Sequence, residues 1–212
     1  MKTEITSLDG IVGAVRELLA SPKPRVILGI VGKPGAGKST VTEHIFKEID
    51  PKVAALVPMD GYHLSNKVLA DLGRSDRKGA PDTFDARSFM HLLARIKESI
   101  STDIYFPIFH REIEESIAAE GIIPAGTKLI ITEGNYLLMD DPHWKGVREL
   151  LDESWYLEIP DSIRHARLIA RHEFYGRDRK AAEEWALGTD ERNAKIIGET
   201  AKFADRIVRL EN

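Results

Sequence analysis

Apolar runs alternate with amphipathic segments along most of this 212-residue chain. Four apolar runs predict buried strands, at 26–31, 53–58, 128–132 and 154–159, and a shorter run at 206–210 predicts a last strand. Apolar residues at helical spacing predict helices over 7–19, 39–47, about 86–100, 161–174 and 180–187. Because helices separate the strands, we expect an α/β fold with a mainly parallel central sheet and helices on both faces.

Local signals refine the ends of these elements. Ser7 and Asp85 are candidate N-caps for the helices that follow them. Residues 64–85 lose the apolar period and predict a loop region with one short helix near 67–72. Ile104–Arg111 is apolar but contains Pro107, which favours an edge strand or a pocket wall over a central strand.

The first predicted strand leads into a glycine-rich loop. This loop reads Gly32, Lys33, Pro34, Gly35, Ala36, Gly37, Lys38, Ser39 and Thr40, a G-x-x-x-x-G-K-[ST] pattern between a strand and a helix. Its glycines permit positive φ, so that consecutive N–H groups can face one anion at the positive end of the helix dipole. Lys38 can then reach the β- and γ-phosphates of a nucleotide, and the Ser39 hydroxyl can ligate Mg²⁺. We therefore predict a nucleotide-phosphate site here.

Composition narrows the class of protein. At 212 residues and 42% hydrophobic content, the chain fits one domain, 1–212, with residues 1–24 contributing an N-terminal helix. A net charge of −4 argues against a nucleic-acid surface and a polybasic membrane contact. The absence of cysteine and of a membrane-length apolar run is compatible with the cytoplasm, which we expect as the location. The expected partner is a small molecule, and the composition is also compatible with a homodimer.

Two predicted strands end in an acid that is followed by glycine. Asp60-Gly61 follows the second strand and Glu133-Gly134 ends the third. Ligands of parallel sheets bind at the carboxyl ends of the strands, so both acids should converge beside the bound phosphates. Asp60 is the candidate to accept or orient the proton of an acceptor hydroxyl, and Glu133 is the candidate to hold Mg²⁺ through water. A single strand-end acid is more often a cap or turn residue, but two beside a phosphate loop favour function.

The helix at 161–174 carries candidate cations for phosphoryl transfer. Arg167 and Arg171 lie four residues apart and share a face with Arg164. Cations over the transferring group stabilise its equatorial oxygens, although a solvated basic stripe would have the same spacing. The charged, glycine-hinged sequence that follows predicts a helical lid over about 171–190, and a plain helical hairpin is the alternative.

Residues of about 60–111 are expected to bind the acceptor. Tyr62, His63, Phe109 and Arg111 combine aromatic and hydrogen-bonding groups that suit a small polyhydroxylated molecule. Segments 59–63 and 104–111 carry one fixed cation, Arg111, which favours an unphosphorylated acceptor because a phosphorylated one usually requires a cationic cluster. The alternative source of such a cluster is the 64–85 loop.

The combined motifs resemble a known family. They are the phosphate loop, Met59-Asp60-Gly61-Tyr62-His63, the stretch 77–85, Glu133-Gly134-Asn135-Tyr136-Leu137-Leu138 and Arg167-Leu168-Ile169-Ala170-Arg171-His172. From residue 25 onward the chain is similar to the uridine kinase, phosphoribulokinase and pantothenate kinase group. The resemblance implies a P-loop kinase fold, ATP and Mg²⁺ as cofactors, Asp60 as catalytic base and Arg167 and Arg171 near the lid. Uridine kinases carry Asp-Ser-Phe-Tyr where this chain has residues 60–63, so uridine is not singled out.

Two other classes of protein also carry a phosphate loop. A GTPase switch requires an [NT]-K-x-D motif, and the nearest match, Asn66-Lys67-Val68-Leu69, lacks the acid. A regulatory NTPase would hydrolyse ATP without any acceptor. The sequence favours a kinase that phosphorylates a hydroxyl of a nucleoside, a sugar or polyol, or a pantothenate-like compound.

Overall fold

The computed structural model describes residues 2–210. Within them the strands are β1 (Thr3–Ile5), β2 (Val26–Gly32), β3 (Ala54–Leu56), β4 (Ile104–His110), β5 (Glu115–Ile123), β6 (Leu129–Gly134), β7 (Glu153–Leu157) and β8 (Arg206–Val208). The α-helices are α1 (Leu8–Leu19), α2 (Lys38–Glu48), α3 (Asn66–Asp71), α4 (Ala86–Glu98), α5 (Lys145–Leu150), α6 (Asp161–Phe174), α7 (Arg179–Leu187) and α8 (Thr189–Glu199). Short 3₁₀ turns occupy Met59–Tyr62, Ser75–Arg77, Pro81–Thr83 and Thr200–Phe203.

The central sheet is six-stranded, in the order β1-β8-β7-β2-β6-β3, and all of its pairings are parallel. β2 lies between β7 and β6, with Ile27 opposite Ile130 and Gly29 opposite Ser154. Each residue of β2 is buried, as expected for a strand covered on both faces. The predicted parallel sheet is confirmed, and the phosphate loop leaves it at an interior strand.

Two apolar layers cover the sheet. On one face, Ile11 of α1 and Ile45 of α2 pack with Leu28 and Ile30 of β2. On the other face, Phe89 and Leu93 of α4 join Ile27, Val31, Ile130 and Tyr156 from the sheet, together with Val147 of α5 and Ile197 of α8. Alternate residues of β2 thus enter opposite layers, which is the three-layer α/β arrangement predicted from the sequence.

The predicted helix caps are present. The Ser7 side chain accepts a hydrogen bond from the Gly10 N–H at 3.1 Å, and the Asp85 side chain accepts one from the Ser88 N–H at 3.0 Å. Each bond satisfies an N–H group that has no partner inside its own helix. Four elements have no counterpart among the predictions: β1, β5, α5 and α8.

β4 and β5 form a separate antiparallel hairpin. The prediction of an edge strand at 104–111 is confirmed, in a hairpin outside the parallel sheet, because β4 pairs with β5 alone among the described strands. The pairing shifts between Phe106 and Ile108, around Pro107, which has no N–H to donate. Ile104, Phe106 and Ile123 anchor the hairpin in the same apolar layer as α4.

Gly61 lets this hairpin approach the 3₁₀ turn that follows β3. A Cβ atom added to Gly61 would lie 2.1 Å from the carbonyl oxygen of Pro107, which is far inside van der Waals contact. The neighbouring Asp60 is therefore held against β4 by a contact that only glycine permits.

We expect Gly61→Ala to lower the free energy of unfolding by about 1–3 kcal/mol, because the backbone of β4 must move to admit the methyl group. Gly13→Ala is the matched control, since a Cβ there meets no atom within 4 Å and the site lies inside α1. In the control, the free energy of unfolding should rise by about 0.5–1 kcal/mol, because alanine has a higher helix propensity than glycine. Urea denaturation measures both, and a Gly61 variant as stable as wild type would contradict the close approach.

Candidate active site

A cavity of about 750 Å³ opens at the carboxyl ends of β2 and β6. The phosphate loop forms one wall, and the 3₁₀ turn after β3, the hairpin and the α6–α7 region form the others. Asp60, Lys38, Glu133, Arg167 and Arg171 all line it. The convergence predicted from the strand ends therefore occurs in one continuous space.

The phosphate loop has the backbone geometry of an anion cradle. Gly35 and Gly37 adopt φ of +79° and +92°, and Gly37 is the N-cap of α2. A Cβ on Gly35 would lie 2.9 Å from the backbone oxygen of Arg164, so α6 also packs directly on the loop. The N-terminus of α2 consequently faces the cavity without a side-chain cap, which leaves its N–H groups for an anion.

Lys38 lies partly buried at the base of the cradle. Its Nζ donates hydrogen bonds to Gly32 O at 3.0 Å and to Asn135 Oδ1 at 2.7 Å. Burial lowers the pKa of Lys38 to about 8, while the nearby carboxylates of Glu133 and Asp60 act in the opposite direction. A bound polyphosphate would place negative charge beside Lys38 and raise its pKa. Anion binding and protonation of Lys38 therefore favour one another.

Ser39 and Glu133 form a pair suited to a metal. Ser39 Oγ donates to Glu133 Oε1 at 3.1 Å, and Thr42 Oγ1 lies 3.5 Å from Glu133 Oε2. Burial raises the pKa of Glu133, which a bound cation would reverse. Over residues 2–210 no group of three or more His, Asp or Glu side chains is arranged to hold a metal. A Mg²⁺ ion here would depend on this hydroxyl, this carboxylate, phosphate oxygens and water, which is its usual ligand set.

Asp60 lies across the cavity in an ion pair. Its Oδ2 accepts a hydrogen bond from Arg111 Nη2 at 2.9 Å, and the two side chains are 34% and 40% exposed. The second carboxylate oxygen has no protein donor among the described hydrogen bonds, and Asp60 lines the cavity. The carboxylate is therefore oriented by Arg111 while it remains accessible to a ligand.

His63 and Phe109 lie together on the acceptor side. Their ring centroids are 4.4 Å apart, and His63 also packs on Phe84 at 4.0 Å. Burial lowers the pKa of His63, and its Nδ1 lies 2.8 Å from the Asp60 carbonyl oxygen. Because a carbonyl only accepts, Nδ1 carries the proton and Nε2 is the acceptor of this neutral ring.

Tyr62 does not line the cavity, so its prediction as a substrate contact is corrected. Its ring packs on Phe89 of α4 with centroids 5.2 Å apart, and it belongs to the apolar layer. Burial and the nearby Asp85 raise the Tyr62 pKa to about 12. Tyr62 and His63 are successive residues of one turn and point to different sides, a division that their order in the sequence does not reveal.

The arginines of α6 divide into two groups. A Cβ on Gly37 would lie 3.2 Å from Arg167 Nη1, so Arg167 lies against the phosphate loop. Arg171 lines the cavity. Its own burial lowers the pKa of Arg171, and the nearby positive charge of Arg111 lowers it further. Arg164 is fully buried and paired with Asp161 and Glu191, so it fixes α6 and does not face the cavity. Lys33 also points away from the cradle and pairs with Asp161 at 3.1 Å.

Side-chain contacts hold the predicted lid region. His172 Nε2 lies 2.8 Å from Asp190 Oδ2, which joins α6 to the start of α8. Arg177 stacks on Trp185 of α7, with its guanidinium carbon 4.0 Å from the ring centroid. All four residues line the cavity.

Several site residues were not among the predictions. Asn135 and Asp190 line the cavity, and Thr42 contacts the Glu133 carboxylate. The sequence did offer one signal, because Asn135 directly follows Glu133-Gly134 at a strand end. The other contacts join distant segments, and no local spacing marks them.

Comparison with known proteins gives a consistent result. The model of the family described as phosphoribulokinase / uridine kinase matches residues 27–210. A protein named as a putative uridine kinase in Schizosaccharomyces pombe is 32% identical over 204 residues, which are 91% of this chain and 84% of that protein. No helix within residues 2–210 combines the length and apolar character needed to cross a bilayer.

Solved structures extend the comparison to the fold. A putative fructose transport system kinase from Silicibacter is 34% identical, with a TM-score of 0.84 and coverage of 96% of this chain and 99% of that chain. The Saccharomyces cerevisiae protein YFH7, described as a putative P-loop kinase with a circular permutation, shares the fold at 19% identity and a TM-score of 0.79, over 97% and 98% of the chains. The chain belongs to the phosphoribulokinase/uridine kinase family of P-loop kinases, which use ATP with Mg²⁺.

Proposed function

We propose that this kinase transfers the γ-phosphoryl group of ATP to a hydroxyl of a small metabolite. The observation that carries the proposal is the position of Asp60. Its carboxylate shares one cavity with Lys38 and Glu133 of the nucleotide side, yet it is oriented by Arg111 of the acceptor side. A base at this boundary is what transfer to an alcohol requires, because the hydroxyl must lose its proton as it attacks.

On the nucleotide side, each group has one task. The N–H groups of residues 35–40 and Lys38 would bind the β- and γ-phosphates, and Ser39 with Glu133 would hold Mg²⁺ directly and through water. A metal held there would neutralise negative charge on the phosphates of the nucleotide. The free N-terminus of α2 and the Ser39–Glu133 pair support this assignment.

On the acceptor side, Asp60 would accept the proton of the attacking hydroxyl. His63, Phe109 and Arg111 would position the acceptor, and the three lie together around Asp60. Arg167 and Arg171 would stabilise the charge that spreads over the transferring oxygens. Segment 171–190 would act as the lid that excludes water from this step.

Arg171→Ala should lower kcat about 10- to 100-fold with a smaller change in the KM for ATP, because the guanidinium meets the phosphoryl group mainly as charge develops there. Initial rates at varied ATP measure the two constants separately. Arg192→Ala is a control, since that arginine donates to Thr189 within α8 and does not line the cavity. An effect confined to melting temperature would assign Arg171 to stability.

The proposed function is tested by measuring ADP release with a panel of neutral sugars, polyols, nucleosides and pantothenate. The relative named as a fructose transport system kinase puts sugars first in the panel. We expect at least one hydroxyl compound to raise ATP turnover a hundredfold or more over the acceptor-free rate. Fast ADP release without any acceptor, unchanged by the panel, would instead favour a regulatory NTPase.

A further inference from the structure

The acceptor half of the cavity holds cations that are already compensated by carboxylates. Arg111 pairs with Asp60 at 2.9 Å, and Lys78 Nζ lies 3.6 Å from Glu114 Oε2. On the lid side, the Asp190 carboxylate pairs with His172. Glu112 adds a further carboxylate to the lining. This half of the cavity therefore lacks the surplus of positive charge that phosphate recognition uses.

Lys78 is fixed by its neighbours. Its side chain is only 13% exposed, and its Nζ donates to Asn66 Oδ1 at 2.6 Å and to the Glu114 carbonyl oxygen. These contacts occupy two of the three N–H groups of the ammonium, and the Glu114 carboxylate is the nearest anion. Lys78 can offer its remaining proton to a hydroxyl oxygen, while a phosphate would have to displace Glu114 first.

The other cations of the 64–85 loop do not supply a phosphate site. Arg74 and Arg77 both pair with the Asp82 carboxylate, at N–O distances of 3.4 and 2.9 Å. Neither lines the cavity around Asp60. The 64–85 loop therefore does not form the cationic cluster that the sequence analysis gave as an alternative. Among the described residues, Lys78 is the one cation of this loop that lines the acceptor side.

Glu114 stands out among these groups through its backbone. It adopts a φ of +53°, which is unusual for a residue with a side chain, in the turn that joins β4 to β5. The Asn66 amide and Lys78 both donate to its carbonyl oxygen, so this conformation is held by the opposite wall. Its carboxylate, 54% exposed, is thus carried at the mouth of the acceptor side.

We propose that the acceptor is a neutral, hydroxyl-rich molecule and that Glu114 is the residue that discriminates against phosphorylated acceptors. This inference rests on the proposed kinase function. The carboxylates of Glu114 and Glu112 would accept hydrogen bonds from hydroxyl groups and repel a phosphate dianion, while Lys78 and Asn66 donate to the same hydroxyls. His63 and Phe109 supply the apolar surface on which such a molecule packs.

The experiment compares matched acceptors in an ADP-release assay with the full chain, ATP and Mg²⁺. The pairs are fructose and fructose 6-phosphate, ribose and ribose 5-phosphate, uridine and uridine monophosphate, and glycerol and glycerol 3-phosphate, with glycerate added as an acceptor charged by a carboxylate. We expect kcat/KM for the best neutral compound to exceed that of its charged partners at least tenfold. Preference for a monophosphate or for glycerate would overturn the inference while the kinase function stands.

The role of Glu114 is tested by Glu114→Gln, which keeps the size and the backbone contacts of the residue. The loss of one negative charge beside Lys78 should raise kcat/KM for the phosphorylated partner about five-fold, and kcat/KM for the neutral acceptor should fall because its hydroxyls lose a charged hydrogen-bond acceptor. Asp71→Asn, an exposed site on α3, removes the same charge outside the cavity and should change neither value.

Equal shifts in the Glu114 and Asp71 variants would overturn the assignment of Glu114, since they would report only the net charge of the protein. If no compound of either kind is phosphorylated although calorimetry shows that ATP binds, the proposed function fails and the inference fails with it. That outcome differs from a reversed preference, in which turnover is present.

Discussion

Lys38→Ala should abolish measurable ATP binding by calorimetry and reduce turnover at least a thousandfold. The buried ammonium is the one fixed cation that the cradle itself supplies, and it would pair with phosphate oxygens in both the ground state and the transition state. Lys47→Ala, an exposed lysine on the same helix, is the matched control and should bind ATP as wild type does.

Protein stability separates this role from a structural one. The pKa of Lys38 is about 8 in the fold against 10.5 for an ordinary lysine. The unfolded chain therefore binds more protons between these values, so the buried charge disfavours folding below pH 8 and this penalty disappears as pH rises to about 10.5. Lys38→Ala should accordingly show an undiminished melting temperature at pH 7. Wild-type affinity for ATP in this variant would refute the phosphate-loop assignment.

Asp60→Asn should retain ATP binding and lose two to four decades in kcat, which is about 3–5 kcal/mol of transition-state stabilisation. The amide oxygen of asparagine can still accept the hydrogen bond from Arg111, so the pocket should keep its shape. What the variant lacks is a group that accepts the proton of the hydroxyl. Single-turnover phosphorylation of the acceptor measures this step directly.

Asp76→Asn provides the control, because that exposed residue contacts only Arg77 among the described ion pairs. A retained kcat above about a tenth of wild type would remove Asp60 from the role of base. If the principal change were a lower melting temperature, Asp60 would be a turn residue that holds Arg111 and the hairpin.

Much of the fold could be predicted because its signals are local. The caps at Ser7 and Asp85, the apolar run of β2 and the glycine pattern of the phosphate loop each act within a few residues. β1 and β5 lack such signals. β1 has three residues and is defined by its pairing with β8, while β5 is distorted at Ala119, with φ of +59°, and loses strict alternation.

The candidate site divides in the same way. The positions of Lys38, Ser39, Asp60 and Glu133 beside one cavity could be predicted because motif and strand end place them at the carboxyl edge of the sheet. The partnership of Asp60 with Arg111 spans 51 residues, and that of Lys38 with Asn135 spans 97. α8 was missed for a related reason, because its buried Asp190 and Asn193 interrupt the apolar period on the face that lines the cavity.

The hairpin of β4 and β5 stands apart from the parallel sheet and contacts the turn of Asp60 at Gly61 and through the Arg111–Asp60 ion pair. Arg111, Phe109 and Glu114 all lie on this single insert, whereas the phosphate loop and Glu133 belong to the sheet. Under the proposed function, mutations in the insert should alter which acceptor is used without disturbing the phosphate loop. A protein built in this way can acquire new substrates over evolution by exchanging one short segment, and a laboratory graft of the hairpin would follow the same route.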